Sequence, residues 1–401
     1  MRPQPQARRF RLMPMVPRDV DEEHRASTPL ELLFDLCFVV AVAQAGSRLS
    51  TELGLSHFQT GIVGYLMVFF GIWWAWVNFT WFASAYDVDD LPYRLLTFVQ
   101  IVGVLILAAG VSSAFDHADF ATITVGFVIM RAAMVGQWLR AASGDPAGRP
   151  VCLRYAAGIA ILQVGWVGRL FLPHEAGVIA FYVLALGEML VPAWAEHAGR
   201  GGTPWHPGHI TERYGLFTLI VLGEGIGAAT VALHSASSSR GVSAGLIAVA
   251  AGAVLLVFSV WWWYFEHPAE EGLRMSRSMS FLWGYLHYFV FAAVAALGAG
   301  VQVAADSSHG GAGTAAATTA GLAVAVPVAV YLVVTGYLQG RLYPEESGRM
   351  GMVMVASAVV LVVGGLAAAL GVGAATVLMG VVVTSLVVVD QVRRPRRPAA
   401  A

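Results

Sequence analysis

The chain has 401 residues, of which 57% are hydrophobic and 12% charged, with a formal net charge of −1. A soluble domain carries roughly 25% charge. Half that share, with a mean hydropathy of +0.68, excludes an ordinary soluble domain and points to an all-α, polytopic membrane bundle.

The N-terminal tail, residues 1–27, carries six arginines: Arg2, Arg8, Arg9, Arg11, Arg18 and Arg25. Twelve spans are then predicted, each near the ~20 residues that cross the hydrocarbon. They lie near 30–49, 58–82, 93–113, 119–140, 152–171, 176–196, 209–233, 242–265, 280–303, 314–338, 351–370 and 373–391. The last two are separated by little more than GVG, and ADSSHGGAGTAAATTAG leads into the tenth. The expected organisation is a first six-helix half over 28–197, a linker over 198–208, a second half over 209–391 and a basic tail over 392–401.

The first span opens with STPLE, residues 27–31. Thr28 can cap, Pro29 suits the first helical position and Glu31 sits where a capping-box carboxylate belongs. Asp35 is not explained by capping. It lies one turn deeper, about 6 Å along the axis, where an ionisable group is costly and turns toward protein or water. AVA at 41–43 has the form of a signal cleavage site. The long acidic tail before it and Asp35 in the apolar region argue for a retained first span.

The second span ends in a tryptophan-rich stretch, with Trp73, Trp74, Trp76 and Trp81, and the eighth in Trp261 to Trp263. The expected role of both is an interfacial aromatic belt; an aromatic pocket is the alternative. The fourth span carries Arg131 and the sixth Glu188. An unpaired guanidinium there would be very costly, so Arg131 is expected to pair with a carboxylate. Sequence does not select which one.

The seventh span reads HITERYGLFTLIVLGEGIGAAT, 209–230. His209, Glu212 and Arg213 stand at its start, consistent with a solvated helix mouth and a local ion pair. Glu224 lies about 18 Å further along. Gly223 and Gly227 flank it at a spacing that suits a close helix neighbour. A structural reading makes Glu224 a protonated acid bonded to an adjacent helix. The functional reading has Asp35 and Glu224 facing a shared interior, with at least one changing protonation.

Arginine placement gives the orientation. With the N-terminus inside, 20 arginines fall inside and only Arg48, Arg169 and Arg240 outside, Arg131 being within a span. That is the positive-inside bias for twelve spans and two cytoplasmic termini. VFFGIWWAW at 68–76 and LVFSVWWWYF at 256–265 recur at similar places, as do LAAGV at 107–111 and LGAGV at 297–301. The offsets of 188 to 190 suggest a parallel six-plus-six internal repeat. Chance recurrence of helix-end composition is the alternative.

Cys37 and Cys152 give no disulfide framework or metal site. No phosphate loop, HExxH motif, nucleophile elbow or redox motif appears, so neither an enzyme nor a cofactor is expected. The arginines form no stripe, so nucleic acid is not an expected partner.

LELLFDLCFVVAVAQ, followed by WWAWVNFTWFASAYDVDD and then HITERYGLFTLIVLGEGI, resembles the bacterial low temperature requirement A family over about residues 28 to 390. The resemblance implies a multi-pass protein of the bacterial inner membrane linked to growth in the cold, without a known substrate. It carries over Glu31, Phe34, Asp35, His209, Glu212, Arg213 and Glu224, with no role assigned to any of them. FDLCFVVAV is also similar to the first-helix signature of lysosomal-type potassium channels with six-helix repeats, although the seventh span has no match to it. Three functions follow as expectations: a secondary transporter for a small solute or ion, with proton coupling as one form of it; a cation channel; or a non-transporting membrane scaffold. The lipid bilayer is the expected surroundings; a channel would need a symmetric pore lined by the first and seventh helices and usually a homo-oligomer.

Overall fold

The computed structural model describes residues 13–20, 22, 25–198, 202–266, 269–308, 313–343 and 348–393. Arg2, Arg8, Arg9, Arg11, Arg200, Arg394, Arg396 and Arg397 lie outside the described residues, as do parts of the predicted tails, of the 198–208 linker and of the loop before the tenth span. Among the described residues the chain is helical and has no strand.

The helices in chain order are α1 (Pro29–Gly54), α2 (Phe58–Tyr86), α3 (Leu91–His117), α4 (Ala121–Gly144), α5 (Arg149–Arg169), α6 (His174–Glu196), α7 (Pro207–Arg240), α8 (Ala244–Phe265), the short α9 (Glu270–Met275), α10 (Ser280–Asp306), α11 (Thr314–Leu342), α12 (Arg349–Gly365), α13 (Ala367–Leu370) and α14 (Val372–Arg393). Among the described residues eleven helices are long and apolar enough to cross a membrane. The predicted span 351–370 is the exception. It forms α12, a 17-residue apolar helix, and the four-residue α13. At 1.5 Å per residue α12 is about 25 Å long, short of the ~30 Å hydrocarbon core. Gly364 and Gly365 end it, and Gly371 at φ +83° separates α13 from α14. Caps set other boundaries. The Asp90 side chain accepts from the Tyr93 N–H at the start of α3, and the Ser243 hydroxyl from the Leu246 N–H at the start of α8.

The chain forms two compact units. The first holds residues 1–44 and 67–214, the second 45–66 and 215–401, so α1, α2 and α7 each contribute to both. In the first unit α3 packs on α4, α4 on α5 and α5 on α6. Its centre is aromatic: Phe34, Phe38, Trp73, Trp74, Trp76 and Tyr93 are fully buried, and Trp138 stacks on Tyr155 at 4.1 Å. This corrects the belt assignment for Trp73, Trp74 and Trp76, whose rings are interior. Trp261 and Trp262 remain 46% and 39% exposed, as a belt requires, while Trp263 is buried.

The segment before α1 is fastened across one end of this unit. The Arg18 N–H donates to the Ala85 carbonyl at 2.9 Å. The Met13 N–H donates to Asp90 at 3.1 Å. The Arg25 guanidinium donates to the Ala83 and Ser84 carbonyls at 2.7 and 3.1 Å. The Ala83, Ser84 and Ala85 carbonyls lie in the last turn of α2, where helix geometry leaves acceptor capacity over; that of Ala83 also accepts from the Asp87 N–H at 3.2 Å.

The second unit is joined by small residues. α10 packs on α11, α11 on α12, α12 on α14, and α14 on α8. A Cβ at Gly252 would stand 2.6 Å from the Thr376 backbone, and one at Gly300 would overlap the Ala323 carbonyl. Such close approach is the usual basis of helix association in lipid, where apolar side chains gain nothing by leaving the solvent. The close contact expected at Gly223 and Gly227 is absent; a Cβ at either meets nothing within 4 Å. Gly225 makes the contact instead, against Gly298. Gly225 lies two residues from each, about 200° around the helix, so the close approach is on nearly the opposite face from the one expected.

Two alanine substitutions therefore have opposite signs. Gly227→Ala gains helix propensity, about 0.5–1 kcal/mol. Gly252→Ala forces α8 from α14 and costs about 1–3 kcal/mol, as overpacking does. Thermal midpoints in detergent should rise for the first and fall for the second; a rise for both would overturn the packing assignment.

Candidate functional site

Thr28 and Glu31 form the predicted capping box. The Thr28 N–H donates to Glu31 Oε2 at 2.7 Å, and the Glu31 N–H to the Thr28 hydroxyl at 3.3 Å. That leaves Glu31 Oε1 free to look inward. It lies 3.0 Å from Arg213 Nη1, 3.1 Å from His209 Nε2 and 3.9 Å from Arg25 Nη2.

Asp35, one turn deeper on the same face, takes the other edge of the same guanidinium. Arg213 Nε donates to Asp35 Oδ2 at 3.0 Å and Nη2 donates to Oδ1. The Trp76 indole N–H donates to Oδ1 at 2.7 Å. Arg213 lies over the Phe79 ring at 6.0 Å. Glu31, Asp35, His209 and Arg213 are all 0% exposed. The solvated-mouth expectation therefore does not describe His209 and Arg213. Only Glu212 is exposed, accepting from the Ser27 N–H at 3.2 Å. His209 Nδ1 is buried and has no hydrogen-bond partner among the described residues.

Helix position explains how these side chains meet. Glu31 and Asp35 are four apart on α1, and His209 and Arg213 are four apart on α7, so each pair occupies one face. Both helices present their first turns to the same place. The His209 N–H donates to His206 Nδ1 at 3.1 Å, and His206 Nε2 meets the Glu22 carbonyl at 2.9 Å. The segment before α1 thus closes one side of the cluster.

Asp87, in the turn between α2 and α3, joins the same electrostatic field. Burial pushes its pKa up to about 6, and Glu31 adds to the rise while Arg25 opposes it.

A second buried centre resolves the partner of Arg131. Its Nη2 donates to Glu188 Oε2 at 2.6 Å. Glu188 also accepts from the Trp74 indole at 3.0 Å, from Gln163 at 3.0 Å and from the Trp166 indole at 3.3 Å. Four helices, α2, α4, α5 and α6, so converge on one carboxylate. All its acceptor capacity is engaged, as a structural tie requires.

Glu224 belongs to the second unit. It is half-buried, and among the described residues no ion pair or hydrogen bond reaches its side chain. Asp35 is held within the first unit by Arg213 and Trp76.

Trp76, Arg25 and Asp87 were not anticipated as site residues. Trp76 lay in a stretch read as a belt, and Arg25 among the arginines of the N-terminal tail. Asp87 stood in AYDVDD with no sign of burial. The available signal was the spacing of Trp74 and Trp76, two donors on nearly opposed faces of one helix that also carries interior aromatics. Among the described residues no group of three or more His, Cys, Asp or Glu side chains could hold a metal ion.

The family described as bacterial low temperature requirement A protein (LtrA) matches residues 26–388. The chain belongs to that family. The match takes in both four-residue pairs, on α1 and on α7. A protein of Rhizobium meliloti (strain 1021) is 29% identical over 283 residues, spanning 66% of this chain and 66% of the relative, a little under two thirds of its length. Family membership and the eleven apolar helices make the chain a membrane protein.

The raised pKa of Asp87 sets the sign of a pH effect. Its folded value, about 6, exceeds the ordinary value near 4. The folded state therefore binds the proton more tightly, and its stabilisation is complete below about pH 4 and lost as pH rises through about 6. Asp87→Asn should flatten that loss, giving a higher thermal midpoint than the wild type at pH 7.5 and little difference at pH 4.5. An equal shift at both pH values would contradict the assignment.

Proposed function

We propose that this LtrA-family protein is a proton-coupled secondary transporter for a small solute or ion, with the Glu31–Asp35–His209–Arg213 cluster as its proton-binding centre. One observation carries the reading: the charge count. Glu31, Asp35 and Asp87 supply three carboxylates, Arg25 and Arg213 two guanidinium groups. With His209 neutral the group carries one negative charge in excess, and one proton balances it. His209 stands 3.1 Å from Glu31 with an unbonded second nitrogen, and Asp87 has its pKa moved to about 6. A low-dielectric centre that lacks one proton is suited to load and release it. The reading is of a carrier and not of an enzyme.

The expected result in proteoliposomes is that wild-type protein couples entry of a solute from a defined panel to proton movement, recorded with an internal pH dye. Asp35→Asn and His209→Gln remain folded and lose the coupled proton signal. Coupled flux at wild-type rates in both variants would make the cluster a structural tie. The scaffold reading would then stand, and a specific observation favours it: each of Glu31, Asp35 and Glu188 already has a basic partner.

We also propose a parallel six-plus-six repeat. The neighbour order supports it. In the first unit α3, α4, α5 and α6 pack in sequence, and α6 returns to α2 through Glu188–Trp74 and Phe181–Phe70. In the second unit α10, α11, α12 and α14 pack in sequence, and α14 returns to α8, where Ser259 meets Thr384 at 2.8 Å. Asp35 and Glu224 are 189 residues apart, within the repeat offset, so they would be equivalent positions. One is neutralised by arginine and the other is not.

The location proposed is the bacterial cell membrane with both termini cytoplasmic. Arginine bias supports this. So does the fastening of Met13, Arg18 and Arg25 to the end of α2 and the α2–α3 turn, the same end of the first unit where Arg140 pairs with Asp90 at 2.7 Å. Reporter fusions after residue 240 and at the C-terminus should read outside and inside, and two fusions on one side would refute it.

A further inference from the structure

The last turn of α5 holds a charge that neither buried centre uses. Arg169 is 7% exposed. Its Nε donates to the Gly177 carbonyl at 2.7 Å. Its guanidinium carbon lies 4.7 Å from the Phe120 ring centre and 5.5 Å from that of Phe181. Among the described residues no carboxylate lies within ion-pair distance of it. Arg25, Arg131 and Arg213, the other buried arginines around the two centres, each have an acid. A guanidinium has five N–H donors, and a single protein acceptor takes one of them. A buried cation with no counter-charge is costly, and a ligand anion is the simplest group to supply one.

Beside Arg169 is a cleft of about 30 Å³, lined among others by Phe70, Thr124, Phe127, Trp166 and Phe181. One water needs roughly 10–15 Å³ on this scale, so the cleft has room for a small anion or a few methylene groups. Thr124 makes no side-chain hydrogen bond among the described residues, and the rest of the lining is apolar. A bare inorganic anion would exchange its water for one arginine and a set of rings, which compensates it poorly. An anion that carries its own apolar body matches the guanidinium with its head and the cleft with its chain.

We propose that Arg169 and this aromatic cleft bind an anionic phospholipid, the phosphate on the guanidinium and an acyl segment between Phe127, Trp166 and Phe181. Arginine suits phosphate because its planar fork can bond two oxygens at once. The site is independent of the proton centre, so it stands or falls apart from the transport reading.

The test uses full-length protein in detergent, with native mass spectrometry for adducts and thermal midpoints for protection. The probes are dioctanoyl phosphatidylglycerol, dioctanoyl phosphatidylcholine and inorganic phosphate. Phosphatidylglycerol should form a one-to-one adduct and raise the midpoint; the zwitterionic lipid and phosphate should do so at least about tenfold more weakly. Arg169→Gln should lose the adduct and Arg169→Lys should keep a weakened one. Gly71→Leu is the second variant. A Cβ there meets only Leu107, at 4.0 Å, so leucine can enter the cleft with Arg169 intact, and this protein too should lose the adduct. If Arg169→Gln does not fold, Gly71→Leu decides. Retention of the adduct by Gly71→Leu would overturn the proposal. Protection by inorganic phosphate equal to that by phosphatidylglycerol would do the same, leaving a free-anion site.

Discussion

Arg213 constrains the first unit more than any other residue. Its guanidinium lies in a region where an isolated charge is prohibitive, and it is neutralised on two edges by Glu31 and Asp35. The fork geometry fixes where both carboxylates must stand, and so fixes the register of α1 against the start of α7. Trp76 then orients Asp35, and through it α2 is tied to the same point. Removing one member of such a buried set costs about 3–5 kcal/mol, because it strands the others. Pairs of this kind add little net stability over an apolar core of the same shape. Their presence therefore speaks for register, or for proton chemistry, and not for stability alone.

The two units meet the same problem of cohesion in lipid differently. The first uses hydrogen bonds into shared acceptors: four helices supply Glu188 and its donors. The second uses glycine and alanine at backbone-to-backbone contacts, with a few ties such as Trp263 to Thr335 at 2.9 Å and Arg349 to Asp390 at 2.7 Å. Polar ties specify geometry through direction, while small-residue contacts specify it through distance. Titratable chemistry is accordingly concentrated in the first unit. The Arg349–Asp390 pair is one exception in the second unit, and Glu224, a carboxylate on α7 with no basic partner among the described residues, is another.

Several groups take their chemistry from the segment before α1. Arg25 is held over the last turn of α2 by the Ala83 and Ser84 carbonyls. From there it lies 3.9 Å from Glu31 and acts on Asp87. The glutamate, the aspartate and the arginine thus share one field, although they come from a helix start, an interhelical turn and a tail. The histidine pair His206 and His209 extends that field toward the Glu22 carbonyl.

The class of protein, the helical spans and the carriers of the site were legible in the sequence. Composition and span length are local, and lipid imposes them on each helix separately. Capping chemistry at Thr28 and Glu31 is local too, and so is the four-residue spacing that put Glu31 with Asp35 and His209 with Arg213. What pairs with what was not legible. Arg131 could have met any carboxylate, and only the convergence of α2, α4, α5 and α6 selected Glu188. Trp74 and Trp76 read as interfacial because a tryptophan run has the same composition at a membrane surface and in an interior; burial and the direction of each indole N–H separated them. Gly225 replaced its neighbours at the helix contact because small-residue spacing gives a periodicity without an absolute face. Twelve spans and eleven full-length helices differ at Gly364 and Gly365, where hydropathy continues but the helix does not. The sequence determined which groups were too costly to leave alone in lipid. The tertiary structure decided how each was satisfied, because a partner across the bundle is fixed by where helices cross and not by distance along the chain.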